Sequence, residues 1–266
     1  MWKAVLEAKR VGARAFGMFL RSQRSWNSKS LDDEAAEKFQ STCQECGFES
    51  CYILPHSPYL MNLGSPKEDV FLKSRAMLVE ELGRCKQLGL TLYNIHPGSR
   101  VGAISVTECI KRIADGINYA HSQVPDVTVV LENMSCQGST IGGHFEELRE
   151  IIDHITDKSR IGVCLDTCHA FAAGHNLADE AGVKLMIDTF SKIVGISYLK
   201  AVHLNDSKVV CLPGDGVPCE QFFLYLPIVN AVLVRDSPMY RRDSEIPGQN
   251  TDPAFWGQHT AGYTVF

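Results

Sequence analysis

Hydrophobic and polar positions change period repeatedly along this chain. Short runs rich in Ile, Val, Leu and Tyr alternate with longer stretches whose apolar residues recur every three to four positions. The runs Cys51–Leu54, Thr91–Ile95, Thr128–Leu131, Ile161–Leu165 and Tyr198–Val202 predict strands, with an earlier one over Ala15–Leu20. Asp69–Leu88 and Ser105–Gln123 read as amphipathic helices. Asp32 and Ser105 suit helix N-caps, because a short side-chain oxygen there accepts from a first-turn N–H that has no helical partner. Strands alternating with helices imply a parallel sheet, and units of roughly 35–40 residues favour a barrel or a doubly wound sheet. The reading divides the chain into a body over residues 1–208 and a C-terminal part of the same domain over 209–266.

The strand ends carry the chemical signal. YILPH ends at His56, YNIH at His96, VVLE at Glu132, VCLD at Asp166 and AVH at His203. In a parallel barrel the C-terminal ends of all strands open on one face, so these side chains converge on one mouth. His169 follows Asp166 by three residues and can join them. One histidine at a strand end is ordinarily a hydrogen-bonded structural group, but five such residues in corresponding places point to metal. Imidazoles with carboxylates suit zinc first, then manganese or iron, and the set has no all-oxygen cage for calcium. It exceeds the needs of one tetrahedral ion, so two or more ions are expected, with Glu132 able to bridge them. Clustered ions of this kind serve phosphodiester hydrolysis.

Composition narrows the class. A 266-residue chain with 45% hydrophobic residues has enough core for one barrel. Its net charge of −5 argues against nucleic-acid binding by Lys and Arg alone, but not against binding through metal ions. The ten cysteines lack the dense spacing of a disulfide scaffold and read as mostly reduced, buried thiols; the Cys43–Cys46 pair has no second pair to complete a zinc site. No apolar run is long enough to span a bilayer and no secretory signal is legible, so an intracellular, membrane-free protein is expected; it is taken as a monomer, and no organelle address is legible. The glycine-rich segment Cys136–Glu147 matches neither dinucleotide-binding nor P-loop spacing. The Asn133 and Asn205 glycosylation sequons lie at the expected mouth and are set aside. His121, His144, His154, His175 and His259 have no strand-end placement and read as packing or surface residues.

The segments FGMFLRSQRSW, LPHSPYLMNLGSP, NIHPGS, VVLENMSCQGSTIGGHFEEL, VCLDTCHAFAAGH and VHLNDSK together resemble the endonuclease IV family of abasic-site endonucleases, from Met1 to about Lys208. The resemblance implies a TIM-type (β/α) barrel of the xylose-isomerase-like kind, three zinc ions, and backbone incision 5′ to a missing base in double-stranded DNA during base excision repair. It implies that His56 and His96 ligate a first zinc, that Glu132 bridges and is the catalytic carboxylate, that Asp166 and His203 hold a second zinc, and that His169 belongs to a third. It places Arg24, Tyr59 and Leu60 on DNA-contacting loops, where an arginine and an aromatic can fill a gap in the base stack.

Two departures from that family bear on activity. The family's first strand precedes the position of Met1, so the barrel is expected to be open, with two unpaired edges, and either to be less stable or to recruit another segment or chain. The family's aspartate–histidine pair for the third zinc is missing from Val209–Phe223, and Glu245 is a weak counterpart of its last glutamate. Six of nine ligands remain, which implies one or two bound zinc ions and slow or absent incision. Two other readings stand beside this one: an inactive metal- or DNA-binding remnant or isoform, and a sugar isomerase or epimerase on the related barrel.

Overall fold

The computed structural model describes residues 1–205 and the backbone of residues 231–234. Six parallel strands form the body of one sheet: β1 (Phe16–Phe19), β2 (Ile53–His56), β3 (Leu92–Ile95), β5 (Thr128–Glu132), β7 (Ile161–Asp166) and β8 (Leu199–Leu204). A two-residue antiparallel ladder, β4 (Gly98–Ser99) with β6 (Thr140–Ile141), crosses the mouth loops. Helices α1 (Trp2–Arg10), α2 (Asp33–Cys46), α3 (Glu68–Gln87), α4 (Val106–Gln123), α5 (Phe145–His154), α6 (Thr167–Ala172) and α7 (Glu180–Ile193) complete the described elements.

The helices form where capping and burial agree. Asp32 accepts from the Ala35 amide at 2.7 Å, and α2 stops at Gly47, whose φ of 78° is left-handed. Ser105 accepts from Glu108 at 3.1 Å to open α4. The expected strands are all present. The second begins later than expected because Ser50–Tyr52 is a 3-10 turn, and the last starts one residue later and runs two further, through His203. Of the eight cysteines among the described residues, Cys43, Cys85, Cys109 and Cys164 are buried, while Cys136 is exposed, so burial holds for half of them.

Strand pleating separates two apolar layers. Phe16, Ile53, Tyr93, Ile95, Val129, Leu131, Val163 and Leu165 join the main core between sheet and helices. Ala15, Leu54, Leu92, Val130, Cys164 and Ala201 form a separate buried cluster, with one residue from each strand unit. That cluster is the inside floor of the curved sheet. Successive side chains alternate between faces, so the residue two positions on from each floor residue points inward one layer higher. That upper layer is Gly17, His56, Asn94, Glu132, Asp166 and His203.

The sheet is not left with a bare edge at β8. Strand β9 (Ala231–Val234) pairs antiparallel with it, in register Ala201↔Val234 through Leu204↔Ala231. Its backbone also comes within 8 Å of β1. The expectation of a recruited segment is met, from this chain's own C-terminal part.

Candidate metal centre

The upper inner layer, with His96 just after β3 and His169 in α6, places four imidazoles around one carboxylate. Glu132 is 2% exposed. Its Oε2 lies 3.2 Å from His56 Nε2 and 3.3 Å from His203 Nδ1. Its Oε1 lies 3.6 Å from His96 Nε2 and 3.2 Å from His169 Nδ1. Asp166 Oδ2 is 3.8 Å from His203 Nδ1, and Asp166 Oδ1 is 3.9 Å from His169 Nδ1. Two donors on one tetrahedral zinc, each at its usual bond length, stand about 3.4 Å apart. The spacings therefore match the edges of metal coordination polyhedra. Among the described residues, two groups have ligand atoms close enough to share an ion, His56–His96–Glu132 and Glu132–Asp166–His169. Glu132 belongs to both, as a bridging carboxylate would.

Electrostatics agree with that placement. Burial alone would raise the Glu132 carboxyl, but His203, His96 and the hydrogen bonds from His169 and His203 outweigh it and hold it well below the usual range. Burial lowers His169, yet its bond to Glu132 and the charges of Asp166 and Glu132 carry it up to about 9. His203, also depressed by burial, is raised well above the ordinary imidazole value by Cys164 and Glu132. Asp166 is raised, first by burial and then by the neighbouring Glu132 charge. Protons on imidazoles thus neutralise this buried anionic cluster, the balance that a cation would otherwise supply.

A polar shell that sequence reasoning did not single out fixes the ligand geometry. The Asn94 amide donates to Glu132 Oε2, and Asn94 is fully buried with its own Oδ1 unpartnered. Asn133 grips the end of β7, accepting from the Asp166 amide at 2.6 Å and donating to its carbonyl at 3.2 Å. Asn205 donates to Asp166 Oδ2. His56 Nδ1 bonds the Ser57 carbonyl at 2.7 Å, which turns Nε2 toward Glu132. Asp166 Oδ1 also accepts from the His169 amide at 2.8 Å and so caps α6. Asn133 is only 1% exposed, which removes its sequon from consideration. The signal for Asn94 was its position, two residues above the floor residue Leu92.

Above these groups lies a cavity of about 180 Å³, lined also by Gly17, Met18, Leu54, Tyr59 and Asn205. Gly17 occupies the β1 position of the upper layer with no side chain. Tyr59 stands at the rim, 58% exposed, with its ring 5.9 Å from that of His56 and 6.1 Å from that of His96. Leu60 beside it is half-buried, and Arg24 is exposed on the segment leaving β1. Glu245 lies outside the described residues, as do Asp206, Ser207, Lys208 and Val209–Phe223. No described helix is long and apolar enough to cross a membrane.

A parallel barrel with imidazoles and carboxylates gathered at its C-terminal mouth is the architecture of metal-dependent enzymes of this fold class. The family model for the xylose isomerase-like TIM barrel matches residues 5–227, and the chain belongs to that family. Endonuclease IV from Thermus thermophilus is 32% identical, with a TM-score of 0.67 over 78% of this chain and 72% of that one. D-psicose 3-epimerase from Clostridium cellulolyticum is 16% identical, with a TM-score of 0.58 over 81% and 70%. A 3-keto-D-glucoside 4-epimerase from E. coli is 14% identical, with a TM-score of 0.57 over 96% and 89%. At these identities the two epimerases share the fold alone.

Proposed function

We propose that this chain is a zinc-dependent DNA repair endonuclease of the endonuclease IV type, hydrolysing the phosphodiester 5′ to an abasic site. The observation that carries the reading is Glu132, whose two oxygens each face two imidazoles at 3.2–3.6 Å. The likeness to the Thermus thermophilus endonuclease IV supports the substrate class. His56 and His96 would hold one ion, Asp166 and His203 a second, with Glu132 between them, and His169 would serve a third. When bound, such ions acidify a water and draw charge from phosphodiester oxygens. Glu132, kept anionic, orients the groups around the reacting phosphate. Arg24, Tyr59 and Leu60 take the duplex, with the arginine and the aromatic ring filling the gap left by the missing base.

The protein acts in this reading as an intracellular monomer, with residues 1–208 as the catalytic body and 209–266 as the C-terminal part of the same domain. One or two zinc ions bind, and incision is slow. The test is incision of a duplex with one tetrahydrofuran site during a zinc titration, beside the Glu132→Gln variant and a ketose turnover assay. Zinc-dependent incision lost in Glu132→Gln is expected. Ketose turnover without incision would favour the epimerase chemistry of the same fold, and abasic-duplex binding without incision would favour an inactive remnant.

A further inference from the structure

The segment that carries Arg24 is held by side chains of the barrel's outer layer rather than by its own backbone. Residues 22–31 leave β1 at the mouth, where Phe19 pairs with His56. Beyond a turn at Gln23–Arg24, this stretch has no helix or strand pairing of its own. Its carbonyls and hydroxyls instead meet Arg21 and one row of α3 side chains. Arg21 Nη2 donates to the Trp26 carbonyl at 3.3 Å. Arg84 Nη2 donates to Ser28 Oγ at 3.0 Å and to the Lys29 carbonyl. Gln87 Nε2 donates to the Leu31 carbonyl at 3.2 Å.

Both arginines are themselves fixed. The Arg21 and Arg84 side chains are 1% and 7% exposed. Glu80 binds both, at 3.2 Å from Arg21 Nη1 and 2.8 Å from Arg84 Nη2. Glu81, fully buried, stands 3.8 Å from Arg21 Nε and 3.6 Å from Arg84 Nε. Its other oxygen accepts from the Tyr93 hydroxyl at 3.0 Å, and Tyr93 is a fully buried residue of β3. The barrel wall is thus linked to Arg84 through the Glu81 ion pair, and Arg84 in turn hydrogen-bonds the segment. A guanidinium fork suits the role, because its donors lie in one plane and reach several acceptors together.

We propose that Arg84 and Arg21, anchored on Glu80 and Glu81, are positioning residues that set the shape of segment 22–31 and through it the affinity for a duplex with a missing base. The segment, which leaves β1 at the mouth, exposes Arg24, Trp26 and Lys29, side chains that suit a polyanion with an exposed stacking gap. The inference rests on the proposed DNA function for its ligand, while the tethering rests on geometry alone.

The test compares the full chain with Arg84→Met, Arg84→Lys and Arg24→Ala. It follows amide exchange by peptide, zinc content, affinity for a tetrahydrofuran duplex and single-turnover incision at saturating duplex. Arg84→Met is expected to speed exchange in residues 22–31 at least about tenfold while β2, β5 and β7 keep their protection. Duplex affinity should fall about tenfold, with zinc content and saturated rate within about twofold. Arg84→Lys keeps a cation opposite Glu80 and Glu81 but lacks the fork, so it should fold where Met does not and show an intermediate loss. Unchanged exchange in 22–31 in both variants overturns the tether. Faster exchange with unchanged duplex affinity, while Arg24→Ala weakens binding, overturns its link to affinity. If Arg24→Ala also leaves binding unchanged, the DNA reading of the segment fails and takes this inference with it, while the exchange data still report the tether.

Discussion

Asn94 donates its amide to Glu132 Oε2 across the β3–β5 boundary, inside the barrel and shielded from water. The bond fixes one oxygen of the carboxylate around which the imidazoles gather. Replacing Asn94 with Ala should lower zinc affinity by roughly ten- to a hundredfold, the usual effect of losing a group that orients a ligand. The fold should survive, at a cost on the order of 1–3 kcal/mol for the broken bond. Metal competition with a chromophoric chelator reads the first effect and denaturant unfolding the second. Unchanged zinc affinity would show that Glu132 is oriented without Asn94.

Removal of the shared carboxylate should be more severe. Glu132→Gln keeps the shape but cannot bridge two cations. Zinc content should fall by at least one ion, and incision by at least about a hundredfold. Plasma emission spectrometry and a gel assay measure the two. Full metal content in this variant would mean that the ions sit elsewhere.

In the proposed function, zinc would displace protons as it binds. His169, raised to about 9, and His203, raised well above the ordinary value, hold protons at neutral pH through their pairing with Glu132 and, for His203, Cys164. Neutral imidazole is the ligand, so affinity should rise with pH up to about 9, and binding at pH 7 should release protons. Calorimetry in buffers of different ionisation heat counts them. A heat of binding that is the same in every buffer at pH 7 contradicts the prediction.

Glu81 gives a separate pH signature. Burial lifts its carboxyl to about 7, against the opposing pull of Tyr93, Arg21 and Arg84. Between the ordinary carboxyl value of 4.5 and about 7 the folded state therefore binds more protons than the unfolded one. Stability from this group is present below 4.5 and falls as pH rises, by up to about 3 kcal/mol across the window. The stability difference between the native chain and Glu81→Gln should shift by that order between pH 4.5 and 7.5, with the native chain losing more. Denaturant melts at several pH values decide it, and a difference that stays flat with pH refutes it.

Much of this architecture is legible from residue pattern, and the misses have physical causes. The six parallel strands follow from apolar runs that both faces of the sheet bury, and Asp32 and Ser105 cap as their hydroxyl or carboxylate oxygens require. His56, Glu132, Asp166 and His203 stand out because charged or imidazole side chains interrupt apolar runs. Asn94 does not stand out, since one amide inside YNIH resembles any strand-end polar residue. Only the register, two positions above Leu92, shows that it shares a layer with Glu132. Arg21 and Glu81 were hidden because their pairing joins residues sixty positions apart. β9 was not read as a strand from the sequence, although AVLV is as long as β1, β2 and β3.

The reversed direction of β9 has a cost for chemistry. Each forward-running stave delivers its last residue to the open end of the cylinder. β9 is laid upside down, so its first residue, Ala231, lies level with Leu204, and its last, Val234, lies at the opposite end. The C-terminal end of this strand therefore faces away from the ring of ligands, unlike those of the six parallel strands, which all finish at that end.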